Sequence, residues 1–230
     1  MTVGVVVPAA GSGTRLGPGG PKALRLLADE PLLLHAVRRI RSVSSVGPVV
    51  VAAPAGSVAA VAGLLQPFDV TVVAGGAERQ DSVRAGLAAL PDDADLVLVH
   101  DAARALVPVP VVEAVIAALR AGAAAVVPVL AVADTVKRVV GDVVVETVDR
   151  TALRSVQTPQ GFVRSVLEKA HASSLAVTDD ASMVEALGID VVTVAGAPEA
   201  FKVTTPFDLL VAEAVLRAGA RSQGQHFEGG

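Results

Sequence analysis

The chain has 230 residues, 52% of them hydrophobic, which is enough for one sizeable core and suits a single α/β domain. A net charge of -4, an aromatic content of 2% and the lack of Trp and Tyr leave neither a basic surface nor a base-stacking platform, so nucleic acid is not an expected partner. The absence of cysteine excludes disulfides, thiolate metal sites and a cysteine nucleophile.

The N-terminus enters a strand without the basic and hydrophobic segments of a signal peptide, and no apolar run is long enough to span a bilayer. The expectation is a soluble, cytoplasmic protein with no membrane partner. Residues 3–7, VGVVV, read as a strand buried on both faces. After Pro8 come Ala9, Ala10, Gly11, Ser12 and Gly13, whose small side chains let main-chain N–H groups approach a ligand. Arg15 and Lys22 follow as fixed cations, completing what a polyphosphate site requires.

Helical spacing of Leu33, Val37 and Ile40 predicts a helix over 31–41. A strand at 48–53, a helix at 57–65, a strand at 70–74 and a helix starting at Ser82 follow, the last burying Val83, Leu87 and Leu90 with Ser82 as its N-cap. Next come a strand at 96–99 leading into His100 and Asp101, a helix at 110–120 ended by Gly122, and a strand at 123–129. This alternation predicts an α/β protein with a doubly wound, mostly parallel sheet. Residues 135–140 and 143–148 flank Gly141-Asp142 and read as an inserted β-hairpin arm, about 134–150, too apolar to stand uncovered. Beyond Thr158 the pattern predicts helices at 163–172 and 179–187, the second capped by Thr178 and ended by Gly188, and a strand at 191–195. A last helix starts at Thr205-Pro206-Phe207-Asp208, a capping-box variant, and ends at Gly219, with a frayed polar tail from about 221. There is no internal repeat.

The opening loop fits neither of two common phosphate motifs. GSGTRLG lacks the Gly-Lys-Ser/Thr of a P-loop. As a dinucleotide loop its glycines are misplaced, Pro18-Gly19-Gly20-Pro21 prevents a helix from starting, and no acidic residue ends the second strand. The remaining reading is a loop that wraps a nucleoside triphosphate, against the plain alternative of a glycine-rich surface turn.

The motifs PAAGSGTRLG and PKAL resemble the signature of nucleotidyltransferases that activate sugar or polyol phosphates. The segments GGAERQDSV, HDAARAL, DTVKR with TVDRTALRSVQTPQGF, and TDDASMVEALG with FKVTTPFDL narrow the resemblance to the 2-C-methyl-D-erythritol 4-phosphate cytidylyltransferase family, in order along nearly the whole chain. The resemblance implies a Rossmann-like nucleotidyltransferase fold and transfer of a cytidylyl group from CTP to a polyol phosphate. An enzyme acting on ribitol 5-phosphate, and a nucleotide-binding module without catalysis, are the alternatives; the joint presence of Arg15, Lys22, Asp101 and Lys202 argues against the second.

The resemblance also implies roles. Arg15 and Lys22 would hold the α-phosphate and the leaving pyrophosphate, with Lys202 near the transferring phosphate and Ala9 to Gly13 donating main-chain bonds. Gly76, Ala77 and Ser82 would read the cytosine, Ala77 through its backbone because the family also has an acidic residue there. Asp101, at a strand's carboxyl end, would hold Mg²⁺ directly or through water, or bind substrate hydroxyls; Arg104 suits the substrate phosphate. An Asp-Arg pair could also cap the strand end, and Ala105 replaces the family's usual proline. Thr135 and Arg150, at the ends of the arm, match positions that reach across a homodimer, though Arg150 also reads as an exposed strand-end arginine. Thr158 and Thr178 complete the substrate set, although for Thr178 the sequence alone favours helix capping. His100 reads as structural.

Overall fold

The computed structural model describes residues 1–172 and 179–224. In chain order the elements are β1 (Val3–Pro8), β2 (Leu26–Leu27), β3 (Glu30–Pro31), α1 (Leu32–Arg41), β4 (Val49–Ala53), α2 (Val58–Leu65), β5 (Thr71–Ala74), α3 (Arg79–Ala89), β6 (Leu96–Val99), α4 (Val109–Arg120) and β7 (Ala125–Ala131). Then follow β8 (Val136–Val140), β9 (Val143–Val148), β10 (Arg154–Val156), β11 (Gln160–Val163), α5 (Arg164–His171), α6 (Asp180–Ala186), β12 (Val191–Ala195) and α7 (Pro206–Gly224).

The main sheet has eight strands in the order β10-β7-β11-β6-β1-β4-β5, with β12 beside β7. The β6-β1-β4-β5 half is parallel throughout, as the alternating pattern predicts. Burial of β1 on both faces explains its valines on either side of Gly4. Val5 and Val7 face a layer that includes Val37 of α1, Leu65 of α2 and Val115 of α4. Val6 faces the other, with Val83 of α3, Leu167 of α5 and Met183 of α6. Each fully buried Leu or Phe in these layers contributes about 1.5–3 kcal/mol.

The other half departs from expectation. The sequence pattern does not predict β10 and β11, and both run antiparallel, β11 between β6 and β7 and β10 along β7. Their shortness hides them: β11 is four residues, and its apolar Phe162 and Val163 read equally well as the start of a helix. Gly161 lets α4 press on this strand, because a Cβ there would lie 2.5 Å from Val115 Cγ1.

Three termini also differ. α3 begins at Arg79, with Glu78 as N-cap and Asp81 completing a capping box, so Ser82 lies inside the helix. α6 is capped by Asp179, whose carboxylate accepts from Ser182 N–H at 3.0 Å; Thr178 lies outside the described residues. α7 starts on the expected capping box, with Thr205 N–H donating to Asp208 at 2.7 Å, but runs through Gly219 to Gly224. Of the tail expected from about 221, residues 225–230 lie outside the described residues.

β8 and β9 form a separate two-stranded sheet, as expected, with Val140 opposite Val143 and Val139 opposite Val144. All four side chains, and Val145, are exposed. Among the described residues no helix is long and apolar enough to cross a membrane.

Candidate active site

A cleft of about 300 Å³ opens where the chain leaves β1 and β6. β1 ends at Pro8, Ala9 N–H adds a last rung to β4 by donating to Ala52 O at 2.8 Å, and Lys22 N–H closes the following loop on Gly11 O at 3.0 Å. Gly13 has a φ of 71°, and a Cβ there would lie 2.5 Å from Lys22 Cβ. Only glycine lets the loop fold down over Lys22. A 3-10 turn, Thr14–Leu16, carries Arg15 to the rim, and Leu16 is buried against Leu27, Leu32 and Leu106.

The floor is organised by Asp101, which follows β6. Its Oδ1 accepts from Arg79 Nε at 3.1 Å and its Oδ2 from Lys202 Nζ at 2.6 Å. Its main-chain N–H donates to Thr158 Oγ1 at 3.1 Å, and that hydroxyl sits 3.2 Å from His100 Nδ1. Arg79 continues the row, with Nη1 2.7 Å from Asp180 Oδ2, and the fully buried Asp180 meets His171 Nε2 at 2.9 Å. Charges therefore alternate from the cleft inward: Lys202, Asp101, Arg79, Asp180.

Electrostatics follow from this row. Burial pushes the Asp101 carboxyl up, but Arg79 and Lys202 outweigh it and hold the group well below the usual carboxylate range. Burial, and then Lys202, push Lys22 down to about 8. Burial pushes His100 down to about 4, so the imidazole is neutral. Its Nδ1 is paired with the Thr158 hydroxyl, which accepts from Asp101 N–H.

The third wall is the turn before α3. Ser82 Oγ accepts from Gly76 N–H at 3.2 Å and donates to Glu78 O at 3.3 Å, so its hydroxyl shapes the turn instead of capping the helix. The cleft thus gathers Arg15, Lys22, Arg79 and Lys202 around the carboxylates of Asp101 and Glu78, with small-residue backbone on two sides. Such a surface suits a polyanion with a flat polar head.

The family model of 2-C-methyl-D-erythritol 4-phosphate cytidylyltransferase (IspD) matches residues 3–218. The chain belongs to this family. It is 56% identical over 225 residues to the 2-C-methyl-D-erythritol 4-phosphate cytidylyltransferase of Streptomyces avermitilis, covering 92% of this chain and 90% of that one. With the Frankia casuarinae protein of the same name it shares 57% over 216 residues, covering 93% and 81%. Among solved structures, that of the Thermus thermophilus protein of this name aligns with a TM-score of 0.78 and 39% identity, over 94% of this chain and all 100% of the other. A 4-diphosphocytidyl-2C-methyl-D-erythritol synthase from Anaerococcus prevotii aligns with a TM-score of 0.82 and 27% identity, over 94% and 98%.

Of the residues that IspD membership points to, Ala9 to Gly13, Arg15, Lys22, Gly76, Ala77, Ser82, Asp101 and Lys202 all line the cleft. Others do not. Arg104 donates to Ala200 O at 2.7 Å and Val156 O at 3.0 Å, tying β10 to the turn before Lys202 rather than facing the cleft. Thr158 is buried beneath Asp101, and Thr135 and Arg150 stand exposed at the foot of the arm, outside the lining. Arg79 is the residue that sequence reasoning missed. Its signal is an arginine in the first turn of a helix, where the dipole disfavours a cation and some other partner must hold it.

A metal would find little protein here. Among the described residues no group of three or more His, Asp or Glu converges, and Asp101 already has both oxygens engaged by cations. Of the described residues Asp101 would be the carboxylate to hold a Mg²⁺, and no preformed cage surrounds it.

Proposed function

We propose that this chain transfers the cytidylyl group of CTP to 2-C-methyl-D-erythritol 4-phosphate, giving CDP-methylerythritol and pyrophosphate in non-mevalonate isoprenoid precursor synthesis. The observation that supports this most is the gathering of Arg15, Lys22, Arg79, Lys202 and Asp101 in one cleft of a chain of this family. The reacting groups are both anions. An oxygen of the polyol phosphate attacks the α-phosphorus of CTP, the bond to the bridging oxygen breaks, and pyrophosphate leaves with its electron pair. No covalent enzyme intermediate is needed, so positioning and charge stabilisation carry the catalysis.

Lys22 and Arg15 stabilise the α-phosphate and the departing pyrophosphate, and main-chain N–H groups between Ala10 and Gly13 bind the triphosphate. Gly76, Ala77 and Ser82 select the cytosine by edge hydrogen bonds in a tight pocket. Lys202 holds the incoming phosphate beside the α-phosphorus, while Asp101 binds substrate hydroxyls or one Mg²⁺. When bound, that ion supplies charge neutralisation between phosphates.

The chain works as a single nucleotidyltransferase domain with an arm at about 134–150. The uncovered valines of β8 and β9 support a homodimer in which the arm brings Thr135 and Arg150 to the neighbouring cleft. Arg104 and Thr158 support the substrate site from behind. The cysteine-free sequence supports a cytoplasmic location.

The test is pyrophosphate release from CTP with each polyol phosphate. Release with 2-C-methyl-D-erythritol 4-phosphate is expected. Release only with ribitol 5-phosphate overturns the substrate, and release with neither overturns catalysis in favour of a nucleotide-binding module.

A further inference from the structure

We propose that Arg25 is a positioning residue for nucleotide binding, latching the outer half of the opening loop so that Arg15 is in place before CTP arrives. The inference rests on the reading of that loop as the triphosphate site.

Ordering the loop carries a large entropic penalty. Gly17, Gly19 and Gly20 have φ values of 78°, 140° and 84°, conformations open to glycine and costly in lost freedom when fixed. The inner half has its own backbone bonds, from Leu16 N–H to Gly13 O at 2.9 Å and from Gly17 N–H to Thr14 O at 3.1 Å. Residues 18–20 make no main-chain to main-chain hydrogen bond with another described residue.

Arg25 supplies what they lack. Its Nη1 donates to Gly17 O at 2.9 Å and Pro18 O at 2.8 Å, and its Nη2 to Leu16 O at 3.2 Å. The guanidinium lies flat against Gly19, where a Cβ would be 2.6 Å from Nη1. The base of Arg25 is itself fixed, its N–H donating to Lys22 O at 3.1 Å and its carbonyl accepting from Leu32 N–H at 2.9 Å. No described carboxylate pairs with it, so the whole charge is turned on those carbonyls. A planar fork can reach three carbonyls spread in this way; an ammonium cannot.

The beneficiary is Arg15, next to the pinned Leu16. It lines the cleft and has no hydrogen bond or ion pair to another described residue. Nothing but the loop holds its backbone in place, and the latch removes the ordering cost from the binding step.

The experiment is steady-state kinetics by pyrophosphate release on Arg15→Ala, Arg25→Ala, Arg25→Lys and the double variant Arg15→Ala/Arg25→Ala, with a thermal melt of each. Arg25→Ala is expected to raise KM for CTP about 10-fold with KM for the polyol phosphate nearly unchanged. Arg25→Lys should recover little of this, and the double variant should match Arg15→Ala alone, because Arg25 acts through Arg15. Gly19→Ala, whose methyl displaces the guanidinium, is the second variant and should mimic Arg25→Ala if the latter does not fold. An impaired Arg15→Ala beside a near-normal Arg25→Ala and Gly19→Ala, or a double variant that multiplies the two effects, overturns the latch alone. A normal Arg15→Ala overturns the loop's reading and the latch with it.

Discussion

Lys202 Nζ donates to Asp101 Oδ2 at 2.6 Å, joining the carboxyl end of β6 to the segment that precedes α7. The pair leaves Lys202 partly open to the cleft while Asp101 is nearly buried. Lys202→Ala should therefore separate function from stability. Asp101 keeps Arg79 as a second partner, so the loss of stability should be about 1–3 kcal/mol and the melting temperature should move by only a few degrees, whereas kcat/KM should fall by about 100-fold or more. A melt beside a pyrophosphate-release assay checks both.

Lys22 is held down to about 8 by burial and by Lys202. Below that pH it is charged and binds phosphate; above it the free protein loses the charge. The expected result is a kcat/KM for CTP that declines above about pH 8, with the corresponding limb of kcat at higher pH because bound triphosphate favours the ammonium. Lys22→Ala should lower kcat by orders of magnitude in a folded protein and abolish the limb. For stability the sign is opposite: a charged, buried Lys22 costs stability at low pH, and the cost fades between about 8 and the ordinary 10.5.

Arg79 and Asp180 lie 2.7 Å apart, and Asp180 is fully buried. Removing Arg79 leaves the buried Asp180 with only His171, and removing Asp180 leaves Arg79 with only Asp101, so Arg79→Ala and Asp180→Ala should each cost up to about 3–5 kcal/mol in urea denaturation. The double variant should cost less than the sum. A sum that is simply additive would show that the two residues act independently.

His100 is neutral and buried, with its value pushed down to about 4 from the ordinary 6.5. The unfolded chain binds a proton below 6.5 that the folded chain refuses, so stability should fall as pH drops from 6.5 towards 4, by up to about 3 kcal/mol. Below the usual carboxylate range, protonation pressure on Asp101 adds to the loss, since its folded value is depressed. His100→Asn should flatten the first part of this decline in denaturation curves taken across the range.

Val140 and Val143 face one another at the tip of the arm, both exposed. For the homodimer proposed above, replacing both with glutamate should shift sedimentation from dimer to monomer and lower the activity. A wild-type protein that is monomeric at micromolar concentration would sink the dimer.

What could be read from the residues alone was decided by the strength of local pattern. The valines of β1, the run at β6 and the glycines before Lys22 each point one way, so the parallel half-sheet and most of the cleft lining were legible. β10 and β11 were not, because a three-residue strand and a four-residue strand carry no periodicity. Gly219 looked like a helix end, yet a glycine inside a helix costs only about 1 kcal/mol, which neighbouring alanines and arginines offset in α7. Resemblance brought Arg104 and Thr158 to the site, but only the fold reveals that Arg104 donates to two carbonyls and that Thr158 lies between Asp101 N–H and His100. Arg79 announced itself only as a cation at the wrong end of a helix.

Asp101 takes its partners from 22, 57 and 101 positions away in the sequence. On the ribosome Arg79 and Asp101 emerge close together, Thr158 later, and Lys202 last of the four. A nascent chain halted after β11 has its glycine loop, its carboxylate and the half-buried arginine, but not the lysine that completes the cleft. Translational timing therefore keeps incomplete chains from acquiring the full catalytic set.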